Sequence, residues 1–249
     1  MNKLKPNFFS APILSNQKIG KNYFCLKVKT PQNIDQVEPG QFAMLRGKWN
    51  YDPLLPRPLS IARAEKFQLD FIYEVRGRGT HLLSLMQPPR EIEILAPLGN
   101  SFPPPENSLP LLLAGGIGFP PLYFYQQKYG GKLLAGFQTN PELDLFSDKI
   151  IATDDGSLGF KGNVLQLLES CTEINNYSTI MACGPRIMLK QLKNRCSPLQ
   201  CNLFLSLEEK MACGTGLCHG CAVKSRQNDY FKICTDGPIF KSSDVNLEE

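Results

Sequence analysis

Four cysteines near the C-terminus have a spacing that could bind a metal centre. Cys213, Cys218, Cys221 and Cys234 follow the pattern C-x4-C-x2-C-x12-C. A [2Fe–2S] cluster needs four thiolates around two iron atoms, and a C-x4-C-x2-C…C spacing supplies three of them from one loop. Glycines lie between the first three cysteines, and they suit a loop that wraps tightly and presents backbone N–H groups to sulfur. The spacing therefore predicts a [2Fe–2S] cluster on these four residues.

A structural zinc ion is the alternative, because zinc also takes four cysteine thiolates. Zinc sites usually combine two short C-x2-C pairs, and only Cys218 and Cys221 have that spacing here. His219 lies between them, but four cysteines already complete the ligand set of either centre. The zinc interpretation predicts a nucleotide-binding module without electron transfer.

Arg57, Pro58, Leu59 and Ser60 form a tetrapeptide whose chemistry suits a flavin nucleotide. A guanidinium pairs with pyrophosphate oxygens, and a hydroxyl with nearby N–H groups can reach the edge of the isoalloxazine ring. An arginine on a strand is weak evidence alone, since it usually faces solvent. We interpret the tetrapeptide as one half of a flavin diphosphate site.

Gly79 and Thr80 supply the other half of that site. They precede a helical stretch, and the start of a helix offers unpaired N–H groups and the positive end of the helix dipole to an anion. The alternative is an ordinary helix N-terminus with Thr80 as its cap. The two segments together predict a domain that binds a diphosphate.

A second nucleotide site is indicated by Gly115, Gly116 and Gly118, which lie between an apolar run and a helical stretch that begins with proline. Open α/β folds bind nucleotides at this place, outside the carboxyl end of a strand. The pattern is GGxGxxPL and not the G-x-G-x-x-G fingerprint, so it is moderate evidence. Asp154 and Asp155 in a later turn would repel the extra phosphate of NADP, and we therefore expect NAD.

The elements that position these residues fall into two patterns. Runs 24–30, 41–47 and 67–75 alternate apolar and polar residues between glycines and prolines, which predicts a closed antiparallel barrel. Three prolines after Phe102 mark a domain boundary. Beyond it strands alternate with helices, which predicts a doubly wound parallel sheet with 202–209 as its last strand.

The predicted fold class is therefore α/β plus all-β. It comprises an antiparallel FAD-binding β-barrel at 1–102, a parallel-sheet NAD domain at 103–206 and a small [2Fe–2S] domain at 207–249.

The composition excludes several classes of partner. The chain has 249 residues and a net charge of +4 with no basic block, so we expect no nucleic acid. Its most apolar stretch, 109–119, is shorter than the ~18 residues of a bilayer span, so we expect no membrane segment. Pro6 and Pro12 interrupt any signal-peptide core, and we expect a cytoplasmic protein.

The motifs together form a recognisable series: RPLS, RGRGT, AGGIGFPPL, TDDGSLGFKG, ACGP and the cysteine tail that ends CTDGPIF. In this order they resemble the ferredoxin–NADP reductase superfamily, and within it the electron-transfer subunits of dihydroorotate dehydrogenase B. The segment EEKMACGTGLCHGC is the most specific part. Related electron-bifurcating subunits tend to have a non-cysteine ligand at the first cluster position, so Cys213 favours this family.

The resemblance implies a role for each motif residue. Arg57 to Ser60 would hold FAD, with Gly79 and Thr80 at its pyrophosphate. The adenosine or ribose side of FAD would be lined by Ile72, Tyr73 and Glu74. NAD would be admitted by Gly115, Gly116 and Gly118. No residue of the chain is implied to be catalytic, and no pyrimidine is implied to bind.

The resemblance also implies a partner, an FMN-containing dihydroorotate dehydrogenase catalytic subunit, with two copies of each subunit. Electrons would pass from FMN through the cluster and FAD to NAD in pyrimidine biosynthesis, and an apolar patch near the cluster would form the interface. The alternative is an NAD(P)H-dependent FAD/[2Fe–2S] reductase subunit of another redox complex, of the hydrogenase or sulfite-reductase type.

Overall fold

Strands from the first hundred residues close into an antiparallel barrel. The computed structural model describes residues 5–49, 52–146, 150–171 and 174–248. Within them the barrel has the strand order β1-β2-β5-β4-β3-β6. Its strands are β1 (Asn7–Lys18), β2 (Tyr23–Lys29), β3 (Phe42–Gly47), β4 (Arg57–Glu65), β5 (Gln68–Glu74) and β6 (Glu91–Leu98). The predicted barrel is confirmed, and its interior is filled by the apolar half of the alternating pattern, including Leu26, Ile61 and Phe71.

The second half of the chain forms the predicted parallel sheet. Its parallel strands are β7 (Leu111–Gly115), β8 (Lys132–Phe137), β9 (Ile150–Thr153), β10 (Phe160–Lys161), β11 (Thr179–Cys183) and β12 (Asn202–Ser206). A short helix in the barrel is α1 (Arg78–Ser84), and the sheet carries α2 (Phe119–Tyr129), α3 (Val164–Cys171) and α4 (Arg186–Cys196). Among the described residues no helix is long and apolar enough to cross a bilayer.

The helices cover both faces of this sheet, because alternate residues of its central strand pack in opposite directions. Leu111 and Leu113 share an apolar cluster with residues of α3 and α4. Leu112 and Ala114 share another with residues of α2. Both faces of β7 are therefore buried, which explains its unbroken apolar sequence and confirms the doubly wound arrangement.

The prediction that 202–209 is the last strand of the sheet is wrong. The cysteine-rich region contributes β13 (Ala222–Lys224), β14 (Tyr230–Lys232), α5 (Ile233–Asp236) and β15 (Ile239–Lys241). The last of these pairs antiparallel with β12, with Leu205 opposite Phe240. The chain thus returns to the sheet after the last cysteine, a long-range pairing that periodicity does not reveal. The boundaries at 102 and 206 remain predictions.

Candidate functional site

A cavity of about 230 Å³ lies where the barrel meets the parallel sheet. Residues predicted to bind FAD line it, namely Pro58, Leu59, Ser60, Ile72, Tyr73, Glu74 and Thr80. The first three lie near the start of β4 and the next three at the end of β5. Because β4 and β5 are antiparallel neighbours, these two ends lie side by side. The structure therefore brings the predicted flavin segments to one cavity.

Arg57 lies directly against Gly79 at the edge of this cavity. Its guanidinium donates a hydrogen bond to the carbonyl of Leu55. A Cβ atom at Gly79 would lie 2.0 Å from Arg57 Nε, so only glycine leaves room for the side chain in this position. Partial burial lowers the pKa of Arg57, but a guanidinium remains charged at neutral pH. The two predicted halves of the diphosphate site are thus in contact.

Thr80 supports the turn before α1 from within the helix. The cap position is held by Gly77 in an extended conformation, so the alternative that Thr80 is the cap is wrong. The Thr80 hydroxyl accepts hydrogen bonds from the N–H groups of Arg76 at 3.1 Å and Gly77 at 3.2 Å, and donates to the Gly77 carbonyl at 3.0 Å. These bonds fix the turn that faces the cavity.

Tyr73 borders the cavity, but its side chain belongs to the barrel interior. It is 1% exposed, its ring stacks on Phe24 with centroids 5.8 Å apart, and its hydroxyl donates to Asn16 Oδ1 at 3.0 Å. The Asn16 amide in turn donates to the carbonyls of Leu83 and Met86. Alternation along β5 places Ile72 and Glu74 on the other face. Those two side chains are the better candidates for contact with FAD.

One wall of this cavity is formed by residues that follow the barrel in the chain, and sequence patterns did not predict that they line it. It includes Ile117, Glu208, Met211 and Pro238. The Glu208 carboxyl is open to the cavity, and the surrounding protein raises its pKa by desolvation, an effect that the Arg76 charge opposes. None of these residues belongs to a local motif for flavin. Ile117 follows β7, and the pairing of β12 with β15 places Pro238 beside the end of β12.

A second cavity, of about 520 Å³, adjoins the first. Gly115, Gly116 and Asp154 line it, where β7 and β9 end. The barrel contributes Lys21, whose N–H donates to the carbonyl of Pro141 at 3.0 Å and thereby holds the β1–β2 turn against the opposite wall. This position, outside the carboxyl ends of parallel strands, is where such sheets bind nucleotides.

The glycine-rich turn forms part of the partition between the two cavities. Gly116 faces the larger cavity and Ile117 the smaller one. Gly116 has φ +53°, a left-handed conformation that other residues rarely adopt. Glu74 and Arg76 line both cavities, and Arg76 Nε lies 2.6 Å from Glu74 Oε2. A group bound in one cavity would thus lie close to a group bound in the other.

Gly118 is placed differently from the other two glycines. It is buried behind the turn, and a Cβ atom there would lie 2.4 Å from the carbonyl oxygen of Cys183. Its role is close packing of the turn on β11, and it is not among the described residues that line the larger cavity. Cys183 is 1% exposed, and burial, together with the charge of Glu208, raises the pKa of its thiol.

The loop that carries three of the predicted cluster ligands is shaped by glycines. Gly214 and Gly216 have φ +70° and +82°, which glycine adopts without strain. A Cβ atom at Gly214 would lie 2.7 Å from Met44 Cγ, so the loop packs tightly on the barrel. His219 also has a left-handed φ, +57°. The loop therefore turns repeatedly within a few residues, as the spacing of the cysteines requires.

Two of the predicted ligand cysteines, Cys213 and Cys234, have contrasting environments. Cys213 Sγ accepts hydrogen bonds from the N–H groups of Thr215 and Cys218, both at 3.4 Å. Desolvation opposes ionisation of Cys213, but these two donors outweigh it and lower its pKa to about 6. Burial, and the hydrogen-bonded thiol of Cys221, raise the pKa of Cys234 to about 11. The predicted ligands are thus in contact in two pairs, Cys213 with Cys218 and Cys221 with Cys234.

Two of the predicted cluster ligands are connected through the chain to the smaller cavity, called the flavin cavity below because the residues predicted to bind FAD line it. Met211 lines that cavity and lies two residues before Cys213. Pro238 also lines it and lies just after α5, the short helix that contains Cys234. Asn100 at the end of the barrel fixes the second connection. Its amide donates to the Ile239 carbonyl at 2.8 Å, and its Oδ1 accepts from the Ile239 N–H at 2.8 Å.

The donor set fits a two-iron cluster. Backbone N–H groups point at the Cys213 sulfur, and the Cys221 and Cys234 thiols are hydrogen-bonded to each other. In the described part of the chain, three or more metal-binding side chains do not converge on one ion position. A [2Fe–2S] cluster spreads its four thiolates over two iron atoms.

Comparisons with known proteins agree with this arrangement. The model of the iron–sulfur cluster binding domain of dihydroorotate dehydrogenase B matches residues 208–246. The electron transfer subunit of dihydroorotate dehydrogenase B (NAD(+)) from Geobacillus kaustophilus is 39% identical over 228 residues, which cover 84% of this chain and 87% of that protein. The homologue of that subunit from Aquifex aeolicus is 34% identical over 252 residues, which cover 96% and 98%.

A solved structure shows the same architecture. The NADH-dependent reduced ferredoxin-NADP oxidoreductase, described in connection with flavin-based electron bifurcation, superposes with a TM-score of 0.83. Its sequence is 26% identical, and the match covers 96% of this chain and 90% of the other. Together with the sequence relatives, this similarity shows that the chain belongs to the family of electron transfer subunits of dihydroorotate dehydrogenase B (NAD(+)).

Proposed function

We propose that this chain relays electrons from the FMN of a dihydroorotate dehydrogenase catalytic subunit, through a [2Fe–2S] cluster and FAD, to NAD. The chain is an oxidoreductase subunit whose cofactors are FAD, the [2Fe–2S] cluster and, as co-substrate, NAD. The relay would serve pyrimidine biosynthesis in the cytoplasm. When bound, the cluster carries one electron at a time and FAD one or two, so that single electrons can be collected as the hydride that NAD accepts.

One observation carries the proposal: the candidate sites adjoin in the order that the relay needs. The cluster loop is joined to the flavin cavity through Met211 and Pro238. The flavin cavity is joined to the larger cavity through Glu74 and Arg76. We propose that Cys213, Cys218, Cys221 and Cys234 hold the cluster. Each of these site residues then has a binding or orienting role, and none of them needs to act as a general acid or base.

The residues proposed to hold FAD are those of the smaller cavity and its edge. We propose that Arg57 and the turn at Gly79 and Thr80 bind the pyrophosphate, and that Ser60 faces the isoalloxazine ring. Ile72 and Glu74 would line the nucleotide. A charged guanidinium next to free N–H groups supports this assignment, because pyrophosphate prefers both.

The residues proposed to admit NAD are those of the larger cavity. Gly115 and Gly116 let the dinucleotide approach the backbone, while Gly118 shapes the turn from behind. Asp154 lines the cavity, which supports NAD as the dinucleotide, because its carboxylate would repel the additional phosphate of NADP.

The partner is proposed to dock over the exposed side of the cluster loop. Leu217 is 83% exposed and Tyr230 63% exposed, and Cys218 between them in sequence is also exposed. Exposed apolar residues beside a cluster ligand suit an interface across which electrons must pass. We propose two copies of each subunit in the complex.

A tagged form of this chain, purified with whatever complex it forms, tests the proposal. We expect the complex to reduce NAD with dihydroorotate, and the activity to be lost when Cys218 is replaced by serine. No activity from a preparation whose flavin is still bleached by NADH would reject the pyrimidine assignment. That result would favour the reductase subunit of another redox complex, a reading that the similarity to the ferredoxin-NADP oxidoreductase supports.

A further inference from the structure

The C-terminal segment, defined as residues 242–248, connects two elements. One is the hairpin formed by β13 and β14 in the cluster region, and the other is α4, the helix beside the larger cavity. The segment follows β15 and begins at Ser242, whose N–H donates to the carbonyl of Leu203 in β12 at 2.9 Å. It then lies antiparallel to the end of β13, with Val245 opposite Ser225. The segment thus adds a short third strand to the hairpin of the cluster region.

Backbone hydrogen bonds on both sides of this bridge fix the segment to the hairpin. The Arg226 N–H donates to the Asp244 carbonyl at 2.9 Å, and the Asn246 N–H donates to the Lys224 carbonyl at 3.1 Å. Val245 is 0% exposed and shares an apolar cluster with Cys221. The segment therefore packs on the region that carries the buried cluster ligands.

The opposite side of the segment is bound by cations of α4. Lys193 Nζ donates to the Val245 carbonyl at 2.6 Å, Arg186 donates to the Asn246 carbonyl at 3.3 Å, and Lys190 lies 2.5 Å from a Glu248 carboxylate oxygen. These three residues recur at helical spacing and share one face of α4. Another part of the same helix, including Met188 and Gln191, lines the larger cavity.

We propose that Lys193, with Arg186 and Lys190, is a positioning residue that holds the cluster region at a fixed place relative to the NAD and flavin cavities, acting through the C-terminal segment. The inference rests on the proposed function, because it assigns the cations a role in electron transfer between FAD and the cluster. Lys193 is partly buried, and desolvation and the nearby Arg226 lower its pKa. Protein surroundings strengthen its bond to the carbonyl.

The physical reason is that the β13–β14 hairpin forms a sheet of its own. It is held to the parallel-sheet domain through β15, which follows it in the chain, and through the C-terminal segment. Without Lys193 the outer carbonyl of Val245 would lose its donor, and the segment could shift away from the helix. Electron transfer needs close approach, so a shifted hairpin transfers electrons more slowly. The residues that would admit NAD, Gly115 and Gly116, line the larger cavity and do not contact the hairpin through the C-terminal segment, so reduction of FAD by NADH would not depend on that position.

Replacing Lys193 by methionine in the full holoprotein tests this inference. NADH is mixed with the protein without oxygen, flavin bleaching is followed by absorbance, and cluster reduction is followed by paramagnetic resonance of freeze-quenched samples, normalised to iron content. We expect unchanged flavin bleaching and a roughly tenfold slower cluster reduction. The loss of one charge-assisted hydrogen bond would lower the ratio of docked to shifted hairpin by about that factor. The amide hydrogens of Arg226 and Asn246 should exchange faster.

Two further variants make the result specific. Arg195 is also on α4 but lies away from the segment, where it pairs with Glu169 of α3. Arg195→Met removes that ion pair and should change neither rate. Lys193→Arg keeps a donor and should restore most of the cluster rate. A Lys193→Met protein with normal cluster reduction would overturn the inference. A wild-type protein whose cluster NADH fails to reduce would instead overturn the proposed function.

Discussion

The residues proposed to hold FAD lie on or beside paired strands of a closed barrel, whereas three of the four proposed cluster ligands come from a short loop with little regular structure. Tyr73 and Asn16 are buried and hydrogen-bonded to each other inside the barrel. Cys218 and Leu217 lie on the surface in a loop whose shape depends on glycines. The barrel residues are thus held by strand pairing and buried contacts, whereas the loop would gain rigidity from a metal centre bound to its cysteines.

The largest effect should come from removing a cluster ligand. Cys218→Ser leaves three thiolates, which cannot complete the two iron sites, and we expect loss of iron, labile sulfide and all visible absorption beyond that of flavin. Cys201→Ser is the matched control, since Cys201 is a partly buried thiol outside the loop. A Cys218→Ser protein with normal iron content would remove the distinction between the two regions.

A smaller effect should follow from disturbing the barrel site. Gly79→Ala would place a methyl group where the Arg57 side chain lies, and we expect FAD affinity to fall roughly 10- to 100-fold, the value of a hydrogen bond to a charged group. The melting temperature of the apoprotein should not fall, because alanine favours a helix over glycine. Equilibrium dialysis or fluorescence titration with FAD measures the change.

Gly77→Ala is the control for that experiment. A Cβ atom at Gly77 meets no described atom within 4 Å, so this variant should bind FAD much more tightly than Gly79→Ala. Equal losses in both variants would show that the turn, and not the placement of Arg57, determines affinity.

The smallest effect concerns the choice of dinucleotide. Asp154→Asn removes a negative charge from the larger cavity, and we expect the preference for NADH over NADPH, measured as the ratio of kcat/KM for flavin reduction, to fall roughly tenfold. Asp155→Asn should leave the ratio unchanged, because the Asp155 carboxylate is engaged by the N–H and hydroxyl of Ser157. An unchanged ratio in Asp154→Asn would contradict the proposed selectivity.

The same contrast explains what the sequence could predict. The four cysteines lie within one short stretch, so their spacing alone predicted a cluster and its ligands. The flavin segments around Arg57 and Thr80 were predictable because each is a local motif. Glu208 and Pro238 were not, because they reach the cavity only through the pairing of β12 with β15. No local pattern records a contact between strands so far apart in sequence.

Tyr73 shows a second limit. A position on a strand next to a motif predicts proximity to the cavity, but the face that a side chain takes depends on register. Tyr73 points into the barrel, and its neighbours Ile72 and Glu74 point out. The alternative that Thr80 caps α1 fails for a related reason, because backbone geometry at Gly77 fixes the start of the helix.

The central claim is that the cluster and FAD exchange electrons within this chain. The most direct test is to mix the isolated wild-type holoprotein with NADH in the absence of oxygen and to record flavin absorbance and the cluster signal in the same samples. The account predicts that the flavin bleaches first and that the signal of the reduced cluster follows, up to the amount produced by dithionite. A fully bleached flavin beside a cluster that stays oxidised would contradict it.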